Sequence, residues 1–528
     1  MARVQPITKT ELQLGPFTGG INTYSDASYI ADNELVDCIN FEVDLDGCLV
    51  SRPPIKSIAE NDTWIDRIKC LGRGFIGGTA YILGCNTSGT WVFSGGSWTL
   101  VTDQVIASCV AQYNNALYFL SVPGSTTVSL GKWTPDNDYE DVSNANLATM
   151  MGGAGNLGGN NLFVYKDRLF IVPGNTKEEN ISRLIFSDAG NAEAYSTTTQ
   201  FIDVNPGDGE SLNDLAVYDD NLFLFKTDST YVLSYTGSPS NAELLKINPV
   251  IGCEFSGLVV AWENSLFVLH RNKLYEIYNY TWTQVNVKMP FVFDATVGAQ
   301  PKMDFYALSL LGERLLCRIA NNLYVYGLRT KTWSRWESQS ESLQNIGNVI
   351  HLTGDTYIAG SCLVEDLHTF EIKATHTNTD FEELDDEPVP IVSTIVTKNY
   401  DLGISQRFKK LFWWGVDART TDDITGTLNL VSFSFIPTWG TVMNQETLWQ
   451  DMETWGTTGV DNAVTTTVPG SSTQQGRRFY KFPTARRFRQ LNFTVSMNST
   501  GIIPNSPVKL FSLTAVSSAR ANVPDQVN

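Results

Sequence analysis

The chain has 528 residues, 42% of them hydrophobic and 11% aromatic, with 41 Gly and a formal net charge of −19. That length exceeds one hydrophobic core and predicts two to four domains. No run reaches the ~18 apolar residues of a membrane span, Met1-Ala2-Arg3-Val4-Gln5-Pro6 leads into polar residues instead of an apolar signal core, and an acidic surface repels nucleic-acid phosphates.

Residues 1–60 read as an extended docking segment. They carry turns at Gly19-Gly20 and Asp46-Gly47, and a helical turn over Asp32 to Cys38 with Asp32 as its cap. Such a segment is too short for its own core, so it is expected to lie against the ring or a neighbouring subunit.

Residues 61–378 repeat one phrase seven times: a polar turn residue, a spacer, then two large or apolar residues. The copies are Gly78-Thr79-Ala80-Tyr81, Asn115-Ala116-Leu117-Tyr118, Asp167-Arg168-Leu169-Phe170, Asp220-Asn221-Leu222-Phe223, Asn264-Ser265-Leu266-Phe267, Glu313-Arg314-Leu315-Leu316 and Asp355-Thr356-Tyr357-Ile358. Counted at the third residue, the intervals are 37, 52, 53, 44, 49 and 42, the spacing of four-stranded propeller blades. Alternating aromatic runs closed by tryptophan follow, as in Trp91-Val92-Phe93 with Trp98 and Tyr275-Glu276-Ile277 with Trp282. The expected class is all-β, a β-propeller of about six to seven blades with a C-terminal β-sandwich.

Residues 379–390 read as an acidic, proline-containing linker, since Asp380, Glu382, Glu383, Asp385, Asp386 and Glu387 precede Pro388-Val389-Pro390. Beyond it, 391–528 offers strands at 391–396, 410–416, 427–431 and 490–495, enough for a sandwich. From Pro388 on, 13 Lys+Arg stand against 9 Asp+Glu, a net of +4, which leaves −23 on the residues before it. Arg477, Arg478, Lys481, Arg486, Arg487 and Arg489 interleave with Phe479, Tyr480, Phe482 and Phe488. Arginines beside aromatics suit an interface with an acidic partner, and a solvated loop is the alternative.

Signals for chemistry are sparse. Gly153-Ala154-Gly155-Asn156-Leu157-Gly158 matches G-x-G-x-x-G but runs into a strand, not a helix, and so lacks a pyrophosphate site. Asp203, Asp208 and Glu210 offer oxygen ligands for a hard cation in one turn, without EF-hand spacing, and an acidic turn between blades is the commoner outcome. The histidines His270, His351, His368 and His376 form no metal-binding pair, and no G-x-S-x-G elbow occurs. Eight scattered cysteines read as reduced thiols, with a Cys38–Cys48 bridge as the less favoured alternative. No catalytic residue, resident metal or cofactor is expected.

The N-terminal segment carries a resemblance. Gly19-Gly20-Ile21-Asn22-Thr23, Ile30-Ala31-Asp32-Asn33-Glu34-Leu35 and the stretch from Asn40 through Asp44, Gly47, Leu49, Arg52 and Pro53 to Pro54 resemble the opening of bacteriophage tail nozzle and hub proteins. In that family a GG-[IL]-N turn, an I-x-D-x-E step and a D-x-x-G-x-L-x-x-R-P stretch precede a propeller. The resemblance implies a virion tail protein assembled in the host cytoplasm, forming a homo-oligomer, a hexameric ring, below a portal-adaptor protein. The ring would contact tail fibres or other tail proteins, pass viral DNA without reading its sequence, retain the genome and permit its ejection. By the family pattern, Gly19, Gly20, Asn22, Asp44, Gly47, Leu49, Arg52 and Pro53 shape the turns into the first blade. The competing readings are a carbohydrate-binding or glycan-cleaving propeller, with exposed Trp and Tyr near carboxylates at blade tips, and a peripheral tail adhesin.

Overall fold

The computed structural model describes residues 9–59, 69–86, 88–122, 130–153, 155, 157–174, 180–291, 306–319, 322–337, 346–361, 369–373, 381–384, 387–400, 409–419, 424–431, 464–468, 478–483, 487–488, 490–499 and 509–519. The chain divides into two compact units, Ile55–Tyr324 with Ser340–Thr375, and Met1–Pro54 with Val325–Gln339 and His376–Asn528.

The first unit is a seven-bladed β-propeller. Blade one is the antiparallel set Lys69–Ile76, Thr79–Asn86, Gly89–Ser94 and Ser97–Thr102. Blade two runs Ala107–Tyr113, Ala116–Ser121, Leu130–Trp133 and Tyr139–Asp141, and blade three Asn161–Tyr165, Arg168–Val172, Arg183–Phe186 and Phe201–Asp203. Blade four is Leu212–Tyr218, Asn221–Lys226, Thr230–Ser234 and Glu243–Asn248, and blade five Val259–Trp262, Ser265–His270, Lys273–Tyr278 and Thr281–Gln284. The sixth opens with Tyr306–Leu311 and Arg314–Ile319. The seventh has Ile346–Thr353, Thr356–Ser361 and Thr369–Lys373, completed on its outer side by Ile55–Ala59. The innermost strands neighbour one another in turn from blade one to blade seven and back to blade one, so the ring is closed.

Each copy of the repeated phrase is the tight turn between a blade's first and second strands. Those turns need left-handed backbone, supplied by Gly77 and Gly78, Asn114, Lys166 and Asp167, Asp219 and Asp220, Glu263, Gly312 and Gly354. The apolar pair then starts the second strand, which is covered on both faces by neighbouring blades; Ala116–Ser121 and Ser265–His270 are buried at every position. That double burial explains the continuous apolar runs where alternation would mark a half-exposed strand. The aromatic closures also pair, Phe93 opposite Trp98 and Ile277 opposite Trp282.

A tyrosine at the end of the first strand ties successive blades. The Tyr113 hydroxyl donates to Asp167 Oδ1 at 3.0 Å, in the turn of blade three, and the Tyr165 hydroxyl to the Asp220 carbonyl at 2.5 Å, in the turn of blade four. Between blades seven and one, Trp98 Nε1 donates to Thr369 Oγ1 at 2.8 Å. Asp214, fully buried, accepts from the Leu215 and Gly257 backbone N–H groups and from the Asn161 amide. Burial pushes its carboxyl up to about 7 against the backbone N–H groups, which pull it down. A short helix, Ala145–Met150, capped by Asn144, joins blades two and three.

The second unit is a β-sandwich. In one sheet Lys509–Ala519 lies between Lys9–Leu14 and Lys409–Arg419, and also pairs with Leu49–Ser51, which pairs with Phe41–Val43. In the other, Glu387–Thr397 pairs with Glu34–Ile39 and Gln490–Ser499, and the latter with Ile424–Val431. Fully buried Trp414 and Phe493 bring the two sheets together, ring centroids 5.7 Å apart. The sandwich therefore takes strands from both chain ends, and the N-terminal segment supplies sheet strands in it. The expected helical turn over Asp32 to Cys38 is instead the strand Glu34–Ile39, because pairing with Thr394–Thr397 satisfies its backbone.

The expected linker is likewise not a connector throughout: Phe381–Leu384 and the start of Glu387–Thr397 form a hairpin, Glu383 opposite Pro388 and Phe381 opposite Pro390. Pairing with Gln490–Ser499 begins only at Ile391. The two prolines thus fall where a missing N–H is tolerated.

Candidate functional site

The N-terminal motif residues lie in the sandwich unit, where they make separate local ties. The Gly20-Ile21 strand runs parallel to Glu34-Leu35, and Asn22 Nδ2 donates to Glu34 Oε2 at 2.8 Å while the same oxygen accepts the Ala31 N–H at 2.9 Å. A Cβ on Gly20, at φ 63°, would stand 2.9 Å from both Thr332 Cβ and the Trp333 nitrogen; one on Gly19 would stand 2.8 Å from the Asn33 carbonyl. In the hairpin of Phe41–Val43 and Leu49–Ser51, Asp44 Oδ1 accepts the Asp46 and Cys48 N–H groups, and its Oδ2 pairs with Lys509 at 2.9 Å. Gly47, at φ 78°, lets the turn approach Pro16, and Leu49 is fully buried.

Arg52 is buried, at 1% exposure. Its Nε donates to Asn40 Oδ1 at 2.8 Å, Nη1 to the Pro53 carbonyl at 3.1 Å and Nη2 to the Glu337 carbonyl at 3.3 Å, and its guanidinium lies over Trp336. Burial pulls its pKa down to about 9, with Glu42 acting the other way, so it is still charged at neutral pH. These contacts are architectural.

The acidic turn does not present free ligands. Asp203 is held by Arg183 at 2.8 Å, Glu210 accepts from Ser229 at 2.5 Å, and Asp208 takes both of its oxygens to buried Lys226 Nζ, at 2.5 and 2.6 Å. The same ammonium donates to the Val204 and Asn205 carbonyls, so a lysine occupies the place a cation would take. Among the described residues no group of three or more His, Cys, Asp and Glu is arranged to hold a metal.

The glycine loop also has a packing explanation, since a Cβ on Gly158 would stand 2.3 Å from the Val122 carbonyl, whereas Gly153 and Gly155 face open space. Among the described residues the nearby helix, Ala145–Met150, precedes it. His270 is buried with Nε2 3.6 Å from Asp228, and burial lowers its pKa. His351 bridges Arg73 and the Gly354 carbonyl; His368 and His376 lie outside the described residues. Cys38 and Cys48 are both free thiols, so that bridge is not formed.

Of the basic cluster, Arg478 and Lys481 fall in the strand Arg478–Pro483 and Arg487 in Arg487–Phe488, both paired with Lys409–Arg419. Their backbone is thus sheet, not loop. Arg477, Arg486 and Arg489 lie outside the described residues.

One cleft had no place in the sequence reading. Between blades four and five, Val217, Tyr218, Asp219, Ala261, Glu263, Asn264, Ser265, Tyr278, Asn279 and Tyr280 line a cavity of about 250 Å³. Three tight turns converge on it: 219–220, 263–264 and 279–280. The hydroxyl of Tyr280 donates to Asp219 Oδ2 and accepts from Asn221 Nδ2, each at 3.3 Å, and its ring packs on Phe223 and Tyr218. Burial holds that phenol above its ordinary pKa, so it remains a donor. The sequence signal was the Asn279 turn flanked by Tyr278 and Tyr280, whose partners on blade four only the ring closure supplies.

No family model matches the chain, and no curated protein does. Among solved structures it is similar to the extracellular domain of a candidate hybrid two-component system from B. thetaiotaomicron, with 13% identity, 61% of this chain and 39% of that one covered, and a TM-score of 0.43. It is similar also to YCF48 from Cyanidioschyzon merolae (8% identity, 61% and 98% covered, TM-score 0.38) and to an exo-β-1,3-galactanase from Phanerochaete chrysosporium (11%, 89% and 100%, TM-score 0.27). The chain spans about two fifths of the length of the first. None of these likenesses transfers a function.

Proposed function

We propose that this chain is a structural subunit of a bacteriophage tail, of the nozzle or hub kind, in which the propeller is a rigid wall and no chemistry is performed. The observation that carries the reading is that each of the three stretches of family-like sequence supplies an internal tie of the sandwich unit, through the separate pairs Asn22–Glu34, Asp44–Lys509 and Arg52–Asn40. Residues that act together as architecture explain why those types recur as a set. The propeller's closed ring resists deformation, and its net negative charge suits a wall past which DNA slides without binding. The basic residues near Arg487 then serve as contacts with an acidic neighbour, a second copy included.

The test is the mass and shape of the assembly. Purified chain, alone and mixed with the portal-adaptor protein of a phage that encodes it, is sized by light scattering and imaged by electron microscopy. Rings of several copies, or incorporation at the tail end of the particle, are expected. A chain that stays monomeric in both settings and is missing from purified particles overturns the reading.

A further inference from the structure

We propose that the cleft between blades four and five binds a neutral saccharide. It arises where the inter-blade tie departs from its own pattern. Tyr113 and Tyr165 each donate to the first turn of the following blade, at Asp167 and Asp220. By that pattern Tyr218 would reach the turn at Glu263 and Asn264. Its hydroxyl instead accepts the Asn279 N–H at 2.9 Å, and Glu263 and Asn264 line an open cleft.

The second departure is conformational. Asn279 and Tyr280 both sit in the left-handed region, at φ 47° and 58°, a conformation that a bulky aromatic rarely adopts. Tyr280 is kept there by its two hydroxyl bonds and by Phe223 beneath it, 5.8 Å between centroids. The turn thereby presents Tyr278 and Tyr280 at the cleft, 53% and 43% exposed. Exposed aromatics that are rigidly placed offer large contact area at low entropy cost.

The chemistry around them selects the ligand. The exposed ring of Tyr278 offers a surface for the C–H face of a pyranose, while the carboxylates of Asp219 and Glu263 and the amide of Asn264 are groups that pair with sugar hydroxyls. A cavity of about 250 Å³ lies below the ~300–1,000 Å³ of drug-sized sites, which fits one or two sugar rings. Anionic ligands are disfavoured by Asp219, Asp220 and Glu263, and the nearby Lys166 is committed to Asp220 at 3.7 Å. A quaternary ammonium needs several ring faces around it, but Tyr218 and Tyr280 turn theirs toward Phe223 and each other.

The test is saturation-transfer NMR and calorimetry on the full chain with cellobiose, maltose and lactose as neutral probes, sialyllactose as the anionic one and trimethyl-lysine as the cationic one. A saturable signal from at least one neutral probe is expected, weakened about tenfold or more by Tyr278→Ala and by Glu263→Gln, and unchanged by Leu245→Ala on the outer strand of blade four, where Leu245 is exposed. Tyr278 is half exposed, so its truncation leaves the fold intact, and Glu263→Gln checks the site independently. No saturable neutral signal up to roughly 100 mM, binding that survives both substitutions, or binding of only the charged probes overturns the proposal. Ring assembly is read separately and is unaffected by any of these outcomes.

Discussion

Arg52 Nε and the Glu337 backbone N–H converge on a single acceptor, Asn40 Oδ1, at 2.8 and 2.9 Å. Asn40 is itself left-handed, at φ 57°, and its own N–H, carbonyl and amide are taken by Arg335, Ser393 and Val392. Removing the guanidinium leaves that oxygen and two carbonyls short of a buried donor. Arg52→Ala is expected to cost about 3 kcal/mol or more in denaturant unfolding of the sandwich unit. Arg52→Lys recovers little of it, because a single ammonium does not span the fork of acceptors.

Gly20 and Gly77 separate backbone strain from crowding. Both have positive φ, 63° and 58°, but only Gly20 has neighbours at 2.9 Å, while Gly77 has nothing within 4 Å. Each alanine variant carries the left-handed cost of roughly 1–2 kcal/mol. Gly20→Ala is expected to lose about 1–3 kcal/mol more through overpacking. Equal losses in thermal melts would refute the crowding at Gly20.

Lys226 and Asp208 form an ion pair with the lysine side chain fully buried. Lys226→Met is expected to destabilise the propeller by about 3–5 kcal/mol, since a carboxylate and two carbonyls lose their donor. Burial raises the Asp208 pKa, but the Lys226 hydrogen bond and the Glu210 N–H outweigh it and set the carboxyl below its ordinary range. Its folded pKa is below the unfolded one, so the stability it contributes is present above ~3.9 and is lost as pH falls through the folded value. Melting temperature against pH is therefore expected to drop more steeply in acid for the native chain than for Lys226→Met.

The tyrosine ties give a graded measure of blade cohesion. Tyr113→Phe and Tyr165→Phe each remove one hydroxyl bond while keeping the ring, and each is expected to cost about 1 kcal/mol. Because the two ties join different blade pairs, their effects are expected to add in the double variant. Strong non-additivity in unfolding titrations would mean that blades two to four respond as one strained element.

The seven copies of the phrase were enough to read the blades, because each demands a left-handed turn followed by a strand buried on both faces, and both demands are local. The buried run Ala116–Ser121 is visible in the sequence as Leu117 to Leu120. Roles that depend on distant partners were not visible. Glu34–Ile39 takes its strand from Thr394–Thr397, some 360 residues away in the chain, and Ile55–Ala59 finds its place as the outer strand of blade seven only when Thr369–Lys373 arrives. The acidic turn offers oxygen ligands in the sequence, but only the fold brings Lys226, from the next blade, into it. Sequence by itself determined the repeat, the all-β class and the chain's charge division, since turn chemistry and side-chain period act over a few residues. Only tertiary structure decided where the carboxylates point, which chain end closes the ring and that Tyr278, Tyr280 and Glu263 share a cleft, because those follow from closure over hundreds of residues.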